Sequence, residues 1–575
     1  MAGGEKYTKW TISQVSRADG VSLDQYYWLP NSFQYAENLN CDDEMHWVKL
    51  AQKMSNSWSL ANCQLVSAGD SVYALNLTSW SVTKFNDSNW STGWTSAGWP
   101  NISPAIVKNI TFAPGVMFQN YFWYWINTGT QWGMARIPQT GSYDANKDLI
   151  APQDHPTEAD DDIMNPDTAG AAMLTWITAI LNYNNSRLVV WVGQDLWVYY
   201  PELENEYNET HQGHEEYRWK VWWKKVQTFE NWSSIIGLTC TFEYLKVWVQ
   251  DEGWNTKVYY YQGNNNLKST FVYNVVDLTN TKVLRVYGIN NIDYYTASLD
   301  WTAGYITLNK LVWDTPYMLL KQRAGLTSYD VNYKDPYFVW PAGMDAPFLA
   351  WRFYVADYYG IFQFNFVNTR TDVYDKGYMK WKKENASNPV WLAISKNFLY
   401  VSDGNWIHRV RLYDTWIDGY QSKGILISRE LEWDFGGCVT KMLDEVRMHY
   451  ELLPLYQSSS GSGNGDIDIY VSPNNQWNMH DPENQNATWW YKVMHIDLNN
   501  FRTRTEKTNI LNSADGDPYG QHEWNPAFEF DWQTLTYCIV IKIGNISQAT
   551  PIVREVRFEY QLKGKTNNVY DLQNN

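Results

Sequence analysis

One polar segment has the histidine spacing that is closest to a metal site. His211 and His214 stand three positions apart in NETHQGHEE. Zinc hydrolases present two such imidazoles on one face of a helix, and this segment has no helical pattern of apolar residues. The sequence therefore predicts that residues 211–216 form a solvated loop and hold no metal, with a bound divalent ion as the alternative.

A second polar segment, residues 144–167, begins like a calcium loop. Its opening DANKD has carboxylate and amide side chains at alternate positions. A calcium loop then needs a glycine at its sixth position and a bidentate glutamate at its twelfth, and here Leu149 and His155 stand there. We predict an exposed loop, again with a divalent ion as the alternative.

Glycoside hydrolysis is the enzymatic function that this composition allows. It needs two carboxylates on opposite sides of a sugar, about 5–10 Å apart, and 62 acidic residues are too many to choose a pair. Propeller sialidases carry Ser-x-Asp-x-Gly-x-x-Trp boxes, and the segment from Ser402 to Trp406 has those residue types at a different spacing. Neither a Gly-x-Ser-x-Gly elbow nor a phosphate-binding glycine loop is present. We predict no catalytic residue, no cofactor and no enzymatic activity.

Tryptophan residues are the remaining candidates for function. Most of the 34 fit a hydrophobic core. Four are predicted to lie in polar loops that are rich in Asn, Ser and Gly, namely Trp90, Trp94, Trp99 and Trp254. Aromatic rings beside amides and hydroxyls suit sugar stacking or a protein interface. We predict that these four contribute to a contact surface.

The elements that would position these residues are short aromatic hairpins. A run of β-branched and aromatic residues, a break at Gly, Asp or Asn, and a second such run recur along the chain. Repeated hairpins tens of residues apart are typical of the blades of a β-propeller, and we predict six or seven blades. The clearest hairpins are Gln64–Leu77, Gly115–Trp125, Val189–Glu202, Lys246–Gln262, Phe353–Phe366 and Val390–Asp414, the last predicted as two strands joined at Asp403-Gly404-Asn405.

The charge and composition of the chain limit the kinds of partner that it is expected to bind. The net charge of −17 disfavours binding to nucleic acid or anionic membranes. No apolar run approaches the roughly 20 residues of a membrane span, and we see no secretory signal in MAGGEKYTKW. The five cysteines are odd in number and widely separated, so we predict buried free thiols.

Three regions follow from these patterns. Residues 1–60 are predicted to be a strap with one strand near Trp10 and an irregular remainder. Residues 61–420 are predicted to form the propeller. Residues 421–575 alternate strongly, apart from the flexible segment Ser458–Gly465, and are predicted to form an antiparallel β-sandwich that includes a strand over Thr488–Leu498.

Two stretches resemble β-propeller structural proteins of tailed bacteriophages. The first has the pattern aromatic-x-x-Ala-x-Asn-Leu followed by Val-Lys-Leu, and the second opens a strand after the last blade. The residues that carry this resemblance are Phe33, Ala36, Glu37, Asn38, Leu39, Val48, Lys49 and Leu50 in the first stretch, and Ile427, Ser428, Trp433, Phe435, Lys441 and Val446 in the second.

The resemblance implies a structural virion protein, and in particular a tail component at a nozzle, hub or fibre-anchoring position. It implies assembly in the host cytoplasm, other virion proteins as partners, a homo-oligomer and a role in host attachment. Two alternatives stay open: a receptor protein that binds or cleaves a host cell-surface glycan, and a propeller scaffold outside viruses that binds proteins.

Overall fold

The described part of the chain consists of β-strands, as the sequence predicted. Most of the 39 strands are short, and nearly every pairing is antiparallel. The computed structural model describes residues 9–14, 33–41, 48–68, 71–76, 82–86, 94–96, 115–127, 132–139, 149–150, 177–183, 185–192, 195–201, 223–229, 233–240, 244–253, 255–262, 272–289, 292–300, 305–312, 314–323, 348–349, 352–356, 360–365, 376–382, 389–395, 398–403, 405–412, 419–431, 440–454, 465–497, 504–509, 534–544 and 549–563.

The described residues among the first 60 form five strands. The strand near Trp10 is confirmed, but the irregular remainder that we predicted was wrong, because this segment pairs with strands from distant parts of the chain. The five are β1 (Lys9–Gln14), β2 (Phe33–Glu37), β3 (Leu39–Asn40), β4 (Val48–Leu50) and β5 (Ser55–Trp58).

Seven groups of four strands follow, which we number unit 1 to unit 7 in chain order. Unit 1 comprises β6 (Cys63–Ala68), β7 (Ser71–Asn76), β8 (Val82–Asn86) and β9 (Trp94–Ser96); unit 2 comprises β10 (Gly115–Phe118), β11 (Tyr121–Asn127), β12 (Trp132–Pro138) and β13 (Leu149–Ile150); unit 3 comprises β14 (Ile177–Tyr183), β15 (Arg187–Val192), β16 (Asp195–Tyr199) and β17 (Trp223–Thr228); unit 4 comprises β18 (Ser233–Cys240), β19 (Tyr244–Asp251), β20 (Thr256–Gln262) and β21 (Val272–Leu278).

Units 5 and 6 repeat the same meander, and unit 7 takes its fourth strand from the N-terminal segment. Unit 5 comprises β22 (Lys282–Ile289), β23 (Ile292–Asp300), β24 (Tyr305–Val312) and β25 (Thr315–Arg323); unit 6 comprises β26 (Phe348–Leu349), β27 (Arg352–Ala356), β28 (Gly360–Asn365) and β29 (Lys376–Lys382); unit 7 comprises β30 (Pro389–Ser395), β31 (Phe398–Asp403), β32 (Ile407–Arg411) and β5.

The predicted hairpins lie within these units. The segment Val390–Asp414 was predicted as two strands but forms three, because Ser395 pairs with Phe398 and the chain already reverses there. The turn at Asp403 is the second reversal. In unit 2, Gln119 and Asn120 both have positive φ, as the tight hairpin turns that match strand twist require.

Units 1 to 5 contact one another in chain order through their first strands. Such contacts join β6 to β10, β10 to β14, β14 to β18 and β18 to β22, and β30 contacts both β27 and β6. Side chains tie these strands together: Asn182 Nδ2 donates to Met117 O at 2.7 Å, and Ile394 N donates to Ser67 Oγ at 3.0 Å. Unit 7 therefore packs against unit 1.

The junction between units 7 and 1 is completed by the N-terminal strand β5. Its Trp58 pairs with Ile407 of β32. The buried guanidinium of Arg409 lies 4.2 Å from the ring centroid of Phe398, 5.4 Å from that of Phe85 and 5.7 Å from that of Trp58. This cation therefore contacts aromatic rings of both units and of the N-terminal segment.

The remaining strands form two larger sheets. In one, β2 lies beside β33 in the order β2-β33-β38-β35-β36, and a single parallel bridge links β2 to β29 of unit 6. The other has the order β3-β4-β39-β34-β37, with β1 also on β39. The strands are β33 (Lys423–Ser428), β34 (Thr440–Pro454), β35 (Gly465–Pro473), β36 (Tyr491–Asp497), β37 (Arg504–Asn509), β38 (Leu535–Ile543) and β39 (Ala549–Lys563).

One hydrophobic cluster is shared by these two sheets. It contains buried residues from the N-terminal strands, such as Phe33 and Val48, together with Val446, Ile539 and Phe558. Residues from opposite ends of the chain thus bury their apolar surface together, which is the dominant favourable contribution to folding.

Two further predictions concern thiols and membranes. Cys41, Cys63, Cys240 and Cys538 carry thiols that form no disulfide bond in the described part of the chain. The predicted burial is confirmed for all of them but Cys240, and Cys438 lies outside the described residues. Burial raises the pKa of the Cys63 thiol to about 12, so the thiolate is disfavoured at neutral pH. Among the described residues no helix has the length and apolarity to cross a bilayer.

Candidate functional site: the charged junction beside strand β2

The turn between β2 and β3 connects unit 6 to the larger sheet. Asn38 has a φ of 55° and is buried. Its Oδ1 accepts a hydrogen bond from the backbone N of Lys382 at 2.6 Å, and its Nδ2 donates to the carbonyl of Lys423 at 3.0 Å. Asparagine is among the few residues that adopt this backbone region readily. One side chain thus bridges β29 and β33.

Glu37 adds an ion pair at the same place. Its carboxylate is 3 % exposed and accepts hydrogen bonds from Lys382 Nζ at 3.0 and 3.1 Å, and from the hydroxyl of Tyr35. The indole Nε1 of Trp381 donates to Gln52 O at 2.8 Å. A buried carboxylate requires such partners, so these contacts hold unit 6 against the N-terminal segment.

A row of alternating charges continues across the sheet. Lys423 and Lys542 are directly paired on β33 and β38, which would be unfavourable for two like charges. Glu483 lies between them, with its carboxylate 2.9 Å from Lys423 Nζ and 2.5 Å from Lys542 Nζ. Asp481 also binds Lys423 at 2.8 Å. Residues 474–490, which we call the 474–490 loop, are thereby fixed on the sheet.

The row ends at Asp468, which is fully buried. Its carboxylate lies 2.7 Å from His495 Nδ1, 3.0 Å from Lys492 Nζ and 3.2 Å from Lys542 Nζ. Burial alone would raise the pKa of Asp468, but the hydrogen bonds from His495 and Lys492 and the nearby lysine charges lower it overall. This carboxylate is therefore ionised at neutral pH.

The lysines of the row are shifted in the complementary direction. Burial would lower the pKa of Lys423 and of Lys542, but hydrogen bonds and charges from their carboxylate partners raise both overall. Every carboxylate in the row has cationic partners. These ion pairs hold the 474–490 loop against strands β33 and β38.

Aromatic rings cover the same face of the sheet. Tyr35 stacks on His480 with ring centroids 3.9 Å apart, and Trp477 stacks on Trp490 at 5.4 Å. The Trp490 indole also donates to Met479 O at 2.8 Å. The 474–490 loop is therefore held by stacking as well as by charge.

A separate buried ion pair joins units 4 and 5, and sequence reasoning did not find it. Lys246 Nζ binds the carboxylate of Asp293, with both side chains almost fully buried, and lies 5.0 Å from the ring centroid of Tyr260. Desolvation is the largest influence on the pKa of Asp293 and raises it, against the lowering effect of Lys246. No local pattern reveals such a pair, because its members are 47 positions apart.

The segment that was compared with a sialidase box forms a turn. The carboxylate of Asp403 accepts hydrogen bonds from the backbone N atoms of Asn405 at 2.8 Å and Trp406 at 2.6 Å, and pairs with His408 Nε2 at 2.9 Å. Burial would raise the pKa of Asp403, but these bonds lower it. The side chain thus stabilises the reversal between β31 and β32.

The predicted contact tryptophans are only partly described. Trp94 was predicted in a loop, which was wrong, because it lies in β9 and pairs with Phe85. Trp90, Trp99 and Trp254 lie outside the described residues, as do residues 211–216.

The possible metal segments also stay predictions. Of residues 144–167, only 149–150 are described, as β13. In the described part of the chain no group of three or more His, Cys, Asp or Glu side chains is placed to hold a metal ion.

Two exposed tryptophans were missed. Trp406 is 43 % exposed in the turn of unit 7, and Trp489 is 51 % exposed in the 474–490 loop. Trp489 was assigned to a strand over Thr488–Leu498, but β36 begins at Tyr491. The available signal was the uncharged Asn-rich sequence before Trp489, which favours a loop.

Comparisons with known proteins identify no family. No protein-family model matches the chain, and no curated protein matches it.

Solved structures show weak likenesses. The AfRom2 CNH domain has a TM-score of 0.32 and 12 % identity, covering 58 % of this chain and 89 % of that one. BamB from Moraxella catarrhalis has a TM-score of 0.31 and 11 % identity, covering 66 % and 96 %. The Nup133 β-propeller domain of Vanderwaltozyma polyspora has a TM-score of 0.32 and 10 % identity, covering 62 % and 99 %. Likenesses of this strength carry no conclusion about function.

Proposed function

We propose that the protein is a structural component of a tailed-bacteriophage virion, a rigid part of the tail. In this proposal units 1–7 are the seven blades of a closed β-propeller, and the two larger sheets form a β-sandwich beside it. The four-stranded meanders and the contacts between first strands support the propeller. The shared hydrophobic cluster supports the sandwich.

The observation that carries the proposal is the relation between the two stretches that resemble phage proteins. In the first stretch, Phe33 belongs to β2, which pairs with β33, where Ser428 and Ile427 carry the second stretch. Phe33, Leu39, Leu50 and Val446 then share one core. The two stretches are far apart in the chain but lie in one sheet and share one hydrophobic core. This supports the interpretation that both come from the same protein family.

The placement of the N-terminal segment fits a rigid structural component of a tail. Its strands enter unit 7 and both larger sheets, and Asn38 and Glu37 bind unit 6. A chain that is tied in this way resists relative motion of its parts. Relative motion is otherwise the default for domains with small interfaces.

Mass spectrometry and electron cryomicroscopy of purified phage particles test this function. We expect this chain among the virion proteins, in stoichiometric copies at the tail. Its abundance in uninfected cells with absence from particles would refute the virion role and favour a cellular scaffold.

A further inference from the structure

The 474–490 loop is fixed to the body of the protein at several points. Asp481 and Glu483 bind Lys423 and Lys542 of the sheet at 2.8 and 2.5 Å. At the end of the loop, Trp490 stacks on a buried partner, as described above. All residues of the loop belong to the described part of the chain.

Hydrogen bonds within the loop hold its tip. Asn478 Nδ2 donates to Asn486 O at 3.0 Å, and Asn478 Oδ1 accepts from the backbone N of Thr488 at 2.8 Å. The backbone N of Asn486 donates to Asn484 Oδ1 at 3.0 Å. A loop that is ordered before binding loses little conformational entropy when a ligand arrives.

This ordered tip presents Trp489 to solvent. The residue is 51 % exposed and has a φ of 66°, a backbone region that is unfavourable for a bulky side chain. Its neighbour Trp490 turns inward and packs on Trp477. Strain of this kind persists where the surroundings impose it, and it is concentrated at sites of function.

The surroundings of Trp489 indicate the class of ligand. The exposed residues before it are uncharged and polar: Asn484, Gln485, Asn486 and Thr488. Trp489 is the one large hydrophobic residue exposed in the loop. Protein interfaces have a desolvated core of several apolar side chains, whereas one aromatic face among amides and hydroxyls suits a sugar ring with its hydroxyl groups.

We propose that the 474–490 loop binds a neutral carbohydrate, with the indole of Trp489 stacked on the sugar ring. The amide and hydroxyl groups of Asn484, Gln485 and Thr488 provide hydrogen bonds to sugar hydroxyls. The net charge of −17 disfavours anionic glycans. This inference does not depend on the virion role, since it rests on the loop alone.

The test uses the full chain and three variants. Wild type, Trp489→Ala, Trp489→Gly and Trp406→Ala are screened on an array of neutral glycans and titrated with free glucose, galactose, mannose and N-acetylglucosamine. Trp406→Ala is the matched control because it removes a similarly exposed tryptophan from a different turn. Trp489→Gly removes the ring and also relieves the unfavourable φ.

We expect wild type and Trp406→Ala to bind the same neutral glycan with equal affinity. Both Trp489 variants lose at least about tenfold in affinity, which corresponds to about 1.4 kcal/mol, while their melting temperatures show that they are folded. Absence of binding to any neutral glycan by wild type would overturn the proposal. So would unchanged binding by the Trp489 variants, or binding only of a purified protein partner through Trp489.

Discussion

Replacing Asn38 by alanine tests the connection between unit 6 and the larger sheet. The change removes the hydrogen bonds to the Lys382 amide and the Lys423 carbonyl. It also places alanine at a φ of 55°, which costs about 1–2 kcal/mol for a residue other than glycine. Each buried polar group that is left unpaired adds about 1–3 kcal/mol. We therefore expect a loss of about 3 kcal/mol or more.

Two control substitutions separate these contributions. Asn38→Gly keeps the backbone conformation and loses only the side-chain bonds, so it should be less destabilised than Asn38→Ala by about 1–2 kcal/mol. Asn280→Ala changes an exposed asparagine with a φ of 56°. This variant should lose only the stability that the unfavourable φ of alanine costs, about 1–2 kcal/mol.

The assay is hydrogen exchange followed by mass spectrometry, with thermal melting measured alongside. Hydrogen exchange reports each strand separately, which matters because a chain with several sheets need not unfold in one step. In Asn38→Ala we expect faster exchange in Lys376–Lys382 and Lys423–Ser428, and a lower melting temperature than in Asn280→Ala. Equal melting of the two variants, with unchanged exchange in both strands, would refute the reasoning about this turn.

Three further outcomes follow from the structure. Lys246→Met leaves the carboxylate of Asp293 buried without its partner and should destabilise by about 3–5 kcal/mol; a melting temperature equal to wild type would contradict the buried pair. Gly424→Ala should lower the melting temperature, because a Cβ there would lie 2.5 Å from a methyl of Leu39 and overpacking costs about 1–3 kcal/mol; a neutral change would mean that the core has room. The lowered pKa of Asp468 means that its stabilising contribution is present above its ordinary value of 3.8 and is lost as the pH falls through the lower folded value. The stability that Asp468 contributes should therefore be lost only in strong acid, and a melting temperature that already falls near pH 6 would contradict this.

The sequence predicted what is local. Hairpins such as Gln64–Leu77 and Lys246–Gln262 are visible because both strands and the turn lie within about twenty residues, and alternation reports their faces. The strand at Phe33–Glu37 escaped notice because its partners are hundreds of positions away. The strand at Val48–Leu50 pairs locally over only two residues, and its other partner is hundreds of positions away. Their composition alone does not favour a strand over an extended loop.

The candidate site was harder to predict than the fold. Lys423, Glu483 and Asp468 each look like an ordinary surface charge in the sequence. The sheet register aligns Lys423 and Asp468 with Lys542, and the 474–490 loop brings Glu483 to them. Trp489 was not recognised as a loop residue because it stands next to Trp490 in the sequence, and two adjacent aromatic residues resemble the start of a strand. Only the positive φ separates the outward ring from the inward one.

A density map of the purified full-length chain by electron cryomicroscopy tests the central claim most directly. We predict a ring of seven radiating four-stranded sheets in which the N-terminal strand Ser55–Trp58 completes the sheet of Pro389–Ser395, with Phe33–Glu37 built into the neighbouring sheet. A ring that closes without the N-terminal strand, or a map in which the sheets do not radiate from one axis, would contradict the account.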